Sequence, residues 1–138
     1  MTHANVLIID DDVDSALQVS SVFSQLGCET TCSLDWLNAK KNISSLKADV
    51  IILDWILDQH HEGGDLVQQC ARNFERFGWN EEHRLWNKPK IITYSSLDES
   101  EIGPIQSPYF KHLAHWKKPI SQRELLSRVL RLLAQIGR

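Results

Sequence analysis

Asp10, Asp11, Asp54, Ser95 and Lys118 are the side chains of this sequence whose types could do chemistry together. Each closes a strand-like run: "NVLIIDD" ends in Asp10 and Asp11, "VIILD" in Asp54, "KIITYS" in Ser95 and "HLAHWKK" in Lys118. Carboxylates brought together without a partner repel and raise one another's pKa values. A hard divalent cation removes that conflict. Mg²⁺ suits it best, since it takes a few carboxylates, keeps several waters and then accepts phosphate oxygens. Ser95 adds a neutral hydrogen-bond donor, and Lys118 a compact positive charge suited to phosphate. The set describes a carboxylate nucleophile, a metal, a hydroxyl and a lysine around one incoming phosphoryl group. Neighbours compete at three positions. Asp10, Asp11 and Asp12 could instead cap a following helix at its positive end. Thr93 and Ser96 flank Ser95, and Lys117 precedes Lys118, where strand alternation and Pro119 favour Lys118.

Such a site requires strands that end side by side. Aliphatic runs predict strands at 5–9, 29–32, 49–53, 90–94 and 112–116, the second of them weak. Ala16, Leu17, Val19, Val22, Phe23 and Leu26 recur at helical spacing, with Gly27 placed to stop that helix. A less regular helix is expected over 34–46. A third carries Leu66, Val67, Cys70 and Phe74, with Gly63 and Gly64 loosening the loop before it. The last helix opens on a capping box, Ser121 with Glu124, and buries Leu125, Leu126, Val129, Leu133 and Ile136. A fourth helix belongs within 98–108, but Gly103, Pro104 and Pro108 predict that it is short, displaced or partly unwound. Alternating strands and helices with near-continuous apolar strands indicate an α/β fold with a parallel sheet covered on both faces. In such sheets ligands bind beyond the carboxyl ends of the strands. The polar stretch 72–89, with Trp79 and Trp86, fits no element.

A chain of 138 residues, 42% apolar and 24% charged, fits one globular domain. Its net charge of −3 has the wrong sign for a general nucleic-acid binder. Cys28, Cys32 and Cys70 form no CxxC pair and are expected to be reduced packing residues. No signal-like start or membrane-length run occurs, so a cytoplasmic protein without a membrane contact is expected. His60, His61 and Glu62 suggest metal chemistry, but adjacent histidines in an extended loop point apart and fit a solvated loop better. Trp55, next to Asp54, is expected to border the pocket mouth.

The ordered set "LIIDDD", "IILDW", "ITYSS" and "WKKPIS" resembles the receiver domain of two-component response regulators over nearly the whole chain. The resemblance implies a flavodoxin-like (βα)5 fold, a doubly wound five-stranded parallel sheet of order 2-1-3-4-5, as one receiver domain spanning 1–138. It implies that Asp54 accepts a phosphoryl group from a sensor histidine kinase or histidine phosphotransfer protein. Asp10, Asp11, Asp54 and the backbone carbonyl of Ile56 would hold Mg²⁺. Ser95 and Lys118 would bind phosphoryl oxygens, and a cis bond would join Lys118 to Pro119. His115 falls where the family usually keeps a rotating Tyr or Phe, which pairs it with Ser95 as a switch. Self-phosphorylation and slow self-dephosphorylation would follow, without turnover of an external substrate.

Three departures qualify the resemblance. Asp58 stands where the family usually has proline, the loop to Gly63 is about one residue longer, and Ile56 replaces a polar residue that helps set the dephosphorylation rate. The unusual 72–89 and 98–108 segments alter surfaces that receivers use for partners. A degenerate receiver, binding partners without being phosphorylated, is therefore the alternative. An unrelated Mg²⁺-dependent phosphatase would need an acid/base carboxylate two residues after Asp54, and Ile56 cannot serve. No phosphate-binding glycine loop supports nucleotide binding. Whether the receiver stands alone or belongs to a longer chain is left open.

Overall fold

The computed structural model describes residues 4–45, 47–57, 62–77 and 88–136. Strands β1 (Asn5–Ile9), β3 (Val50–Leu53) and β4 (Lys90–Ser95) are buried along nearly their whole length. Runs without polar alternation belong in the middle of a sheet covered on both faces. There they lie, in the order β2-β1-β3-β4-β6-β5. β2 (Glu29–Ser33) and β6 (Phe110–Lys117) flank them in parallel, and β5 (Gln106–Ser107) runs antiparallel to β6. The expected order 2-1-3-4-5 is thus present, with β6 in fifth place. A sixth, two-residue edge strand is added to the five expected.

Helices α1 (Val13–Gln25), α2 (Trp36–Ser45), α3 (Gly63–Phe77) and α4 (Gln122–Ile136) cover the sheet. Strand alternation sends Val6, Ile8, Val50, Ile52, Ile92 and Tyr94 to one face, where Ala16, Val19, Phe23, Leu125 and Val129 of α1 and α4 meet them. Leu7, Ile9, Ile51, Leu53 and Ile91 meet Ala39, Ile43, Leu66, Val67 and Cys70 of α2 and α3 on the other. Burying one such side chain fully is worth about 1.5–3 kcal/mol. β1, β3 and β4 supply eight of the largest fully buried ones, so their ends are held firmly. Among the described residues no helix is long and apolar enough to cross a membrane.

Turn chemistry mostly follows expectation. Gly27 ends α1 at φ 86°, a conformation that favours glycine. Ser121 Oγ accepts the Glu124 N–H at 3.1 Å, which is half of the expected capping box. The Glu124 carboxylate accepts Arg128 Nε at 3.1 Å, one turn onward.

Several expectations are corrected. Leu126 of α4 is exposed, and Leu132 is buried on that helix instead. Residues 72–77, expected to fit no element, complete α3. Gly63 and Gly64 lie in the first turn of α3 instead of loosening the loop before it. A Cβ at Gly63 would sit 2.6 Å from the Asp54 carbonyl oxygen, and one at Gly64 would sit 2.5 Å from Trp55 Cη2. The glycines admit close packing of α3 onto the end of β3. Segment 98–108 holds no α-helix. A single 3-10 turn, Glu99–Glu101, is followed by β5, and residues 108–109 turn back into β6. Pro104 and Pro108 lack the N–H groups a helix would need, and proline suits the tight turn at 108. A cleft of about 440 Å³ remains between α3 and residues 103–108. Asp58, His60, His61, Trp79 and Trp86 lie outside the described residues.

Candidate functional site

Backbone hydrogen bonds lock the strand ends together. Asp54 N–H donates to the Ile9 carbonyl at 2.8 Å, and Lys118 N–H to the Ser95 carbonyl at 2.7 Å. In register, Leu53 faces Thr93 and Ser95 faces Lys117, so Asp54, Ser95 and Lys118 leave neighbouring strands at nearly one level. Asp10 and Asp11 leave β1 beside them. The result is a cluster in which one carboxylate oxygen from each of Asp10, Asp11 and Asp54 lies within 4.8 Å of the others.

The three acidic residues after β1 divide their work. Asp12 accepts the Asp14 and Ser15 N–H groups and caps α1. Asp10 faces inward at 2% exposure, its Oδ1 accepting the Asp12 N–H at 2.9 Å. Asp11 is exposed at the rim, and its carboxyl is raised above the usual range by desolvation and then by the Asp10 charge. The capping reading therefore applies to Asp12 and not to the other two.

Lys118 is the cation of the cluster. Its Nζ lies 2.7 Å from Asp10 Oδ2 and 3.7 Å from Asp54 Oδ2, and 4.9 Å from the centre of the Tyr94 ring. Burial works against its charge, yet the bond to Asp10 and the field of Asp54 outweigh that and raise its pKa. Lys117 points away and pairs with Asp98 at the surface. The Lys118–Pro119 bond is cis, as the resemblance implied.

Asp54 is 8% exposed, and its Oδ1 accepts the Ile56 N–H at 3.3 Å. Burial pushes its pKa up to about 7; Lys118 pulls it down, and the Asp10 charge adds to the rise. Three carboxylates share one ammonium, so the site carries excess negative charge. Its oxygen donors fit a hard cation. One oxygen from each of the three carboxylates within 4.8 Å of the others puts all three in reach of one shared cation.

Ser95 is 1% exposed, and its Oγ accepts the Leu97 N–H at 3.2 Å, leaving its own hydrogen free to donate. Ser96 is exposed, while Thr93 is fully buried one strand repeat below. Ile56 is 46% exposed beside the cluster. Trp55 is buried at 4% exposure against Gly64, on the cleft side of α3 instead of at the pocket mouth. Its place after Asp54 sends it to the opposite face from the carboxylate.

Sequence reasoning missed one group. Thr93 Oγ1 lies 2.8 Å from His115 Nδ1 and 3.0 Å from His112 Nε2, and His115 Nε2 lies 2.8 Å from the Leu97 carbonyl oxygen. Residues 112 and 115 of a regular strand would point to opposite faces. A bulge at Leu113, where the pairing steps from Ile91–His112 to Ile92–Ala114, puts both on one face. No local signal in the sequence announces it.

No protein-family model and no curated protein matches the sequence. Solved structures do match. The CheY-like response regulator receiver domain of Methylobacillus flagellatus superposes with a TM-score of 0.71 at 19% identity, covering 98% of this chain and 99% of that one. The receiver domain of a Francisella response regulator gives 0.64 at 26% identity, covering 96% and 98%. The BeF3-activated receiver domain of DrrB gives 0.64 at 19% identity, covering 96% and 99%.

Proposed function

We propose that this chain, which has the flavodoxin-like fold of response-regulator receiver domains, is a phosphorylation switch whose acceptor is Asp54. The observation that carries this reading is the convergence of Asp10, Asp11 and Asp54 with Lys118 at the ends of three strands. Asp10, Asp11, Asp54 and the Ile56 carbonyl would hold Mg²⁺. Bound there, Mg²⁺ supplies positive charge to the oxygens of a transferring phosphoryl group. The donor is a sensor histidine kinase or a histidine phosphotransfer protein in the cytoplasm, and residues 1–138 act as one receiver unit.

The chain's own residues account for the rest. An Asp54 carboxylate oxygen attacks phosphorus, the donor's phosphorus–nitrogen bond breaks, and the nitrogen keeps the electron pair. Lys118, freed from Asp54 as that charge is capped, pairs with a phosphoryl oxygen, and the Ser95 hydroxyl donates to another. Transfer depends on placing charge rather than on covalent help from the protein. The resulting acyl phosphate carries about 1.5–2 negative charges where the carboxylate carried one, and this added charge at the strand ends is the signal. Ile56 offers no polar group of its own to orient a hydrolytic water, so the phosphoprotein decays slowly.

Intact mass after incubation with acetyl phosphate tests this. One added phosphoryl group that requires Mg²⁺ is expected for the wild type and none for Asp54→Asn. Equal labelling of the two proteins would assign the acceptor elsewhere.

A further inference from the structure

The missing fourth helix leaves a buried hydroxyl, Thr93, facing two histidines on the sheet face it would have covered. The heavy atoms restrict where the hydrogens can be. The Leu97 carbonyl can only accept, so His115 Nε2 must carry a proton to donate across 2.8 Å. Thr93 has one hydrogen and two destinations, His115 Nδ1 at 2.8 Å and the Ala114 carbonyl at 3.3 Å. With His115 neutral, the Thr93 hydrogen goes to the bare Nδ1. With His115 charged, Nδ1–H donates to Thr93 and the hydroxyl turns to Ala114. In both cases Thr93 can accept from His112 Nε2 at 3.0 Å. One arrangement of heavy atoms therefore satisfies both charge states of His115, with only a hydroxyl rotation between them.

What His115 holds is the turn after β4. Its Nε2 grips the Leu97 carbonyl, and the Leu97 N–H donates to Ser95 Oγ. We propose that His115 is a positioning residue that latches the Ser95–Leu97 turn onto β6, and that proton uptake on its ring tightens the latch. A charge-assisted hydrogen bond is shorter and about twice as strong as a neutral one. The groups facing the ring set the balance. Asp98 of the following turn lies close enough to interact with a charge on His115, while Glu99 acts on His112. His112 across Thr93 opposes that charge on His115 and is itself held below the usual histidine range, mainly by burial. Lys117, on the same strand, is paired with Asp98. Both ring nitrogens are engaged, so His115 is a fixed tie and not a rotating side chain. That Ser95 then meets a phosphoryl oxygen rests on the function proposed above; the latch itself does not.

The test is a titration of unphosphorylated, Mg²⁺-free protein followed by NMR from about pH 8 to about pH 5.5, across the histidine range. The His115 ring nitrogens and the Leu97 carbonyl carbon are read together, in wild type, His115→Gln and Thr93→Val. In the wild type the Leu97 carbonyl is expected to shift with the His115 midpoint. His115→Gln keeps a donor that does not titrate, so its Leu97 carbonyl stays flat with the turn in place. Thr93→Val removes the hydroxyl that serves both charge states and weakens the coupling. A wild-type Leu97 carbonyl that ignores the ring, or one that still titrates in His115→Gln, overturns the latch even if Asp54 is phosphorylated. With beryllofluoride as phosphoryl mimic, the affinity ratio of wild type to His115→Gln should rise about fivefold as the ring charges. A constant ratio removes the link to Ser95.

Discussion

Replacing Asp54 by Asn should stabilise the Mg²⁺-free protein. The folded site lifts this carboxyl from 3.8 to about 7, chiefly by burying it. A folded pKa above the unfolded value means that folding favours the protonated form. The benefit is whole below the unfolded pKa and is lost as pH rises through the folded one. About three units at about 1.4 kcal/mol each set a ceiling near 4 kcal/mol of destabilisation above pH 7. Asn keeps an oxygen for the Ile56 N–H but faces Lys118 without a charge to meet it, so about 2 kcal/mol net is expected. For a chain of this length that is roughly 6 °C in Tm. Calorimetry of both proteins from about pH 4 to about pH 8, with and without millimolar Mg²⁺, measures it. The gap should open as pH rises and narrow with Mg²⁺, which binds and stabilises the wild type preferentially. A variant less stable than wild type at pH 8 without Mg²⁺, or a gap that ignores pH, would refute the reasoning.

Asp11→Ala should weaken Mg²⁺ binding and slow phosphorylation together. One carboxylate about 4 Å from a divalent ion is worth about 2 kcal/mol even at the dielectric of water, so calorimetric affinity should fall more than tenfold. Ile56→Asn, which offers a polar group to a hydrolytic water, should lose its phosphoryl group up to about tenfold faster, the scale of one hydrogen bond; decay at the wild-type rate ends the crowding explanation. Gly64→Ala drives a methyl to 2.5 Å from Trp55 Cη2 and should destabilise by about 1–3 kcal/mol in urea unfolding, despite the better helix propensity of alanine; an unchanged midpoint would show that the indole has room to move.

The strand ends were legible because the information is local: an aliphatic run needs burial on both faces, and the polar residue that closes it marks where the sheet opens to water. Asp10, Asp54, Ser95 and Lys118 were found that way, and parity along β6 separated Lys118 from Lys117. The loss of the fourth helix was half legible. Gly103, Pro104 and Pro108 argue against a helix, but a two-residue antiparallel strand leaves no pattern of its own. Gly63 and Gly64 looked like loop residues because their cause is tertiary, the packing of α3 onto the Asp54 carbonyl and the Trp55 ring. His112 and His115 were invisible as a pair for a sharper reason. Three residues apart on a strand means opposite faces, and only the bulge at Leu113 reverses that.

The central claim is that Asp54 itself forms the acyl phosphate. Borohydride reduction of the acetyl phosphate-treated protein, followed by peptide mapping, tests it most directly, because an acyl phosphate is cleaved to an alcohol where a free carboxylate is not. Homoserine is expected at position 54, only in samples that contained Mg²⁺, and none at positions 10 or 11. Homoserine at another aspartate, or a phosphoryl group that resists borohydride, would contradict it.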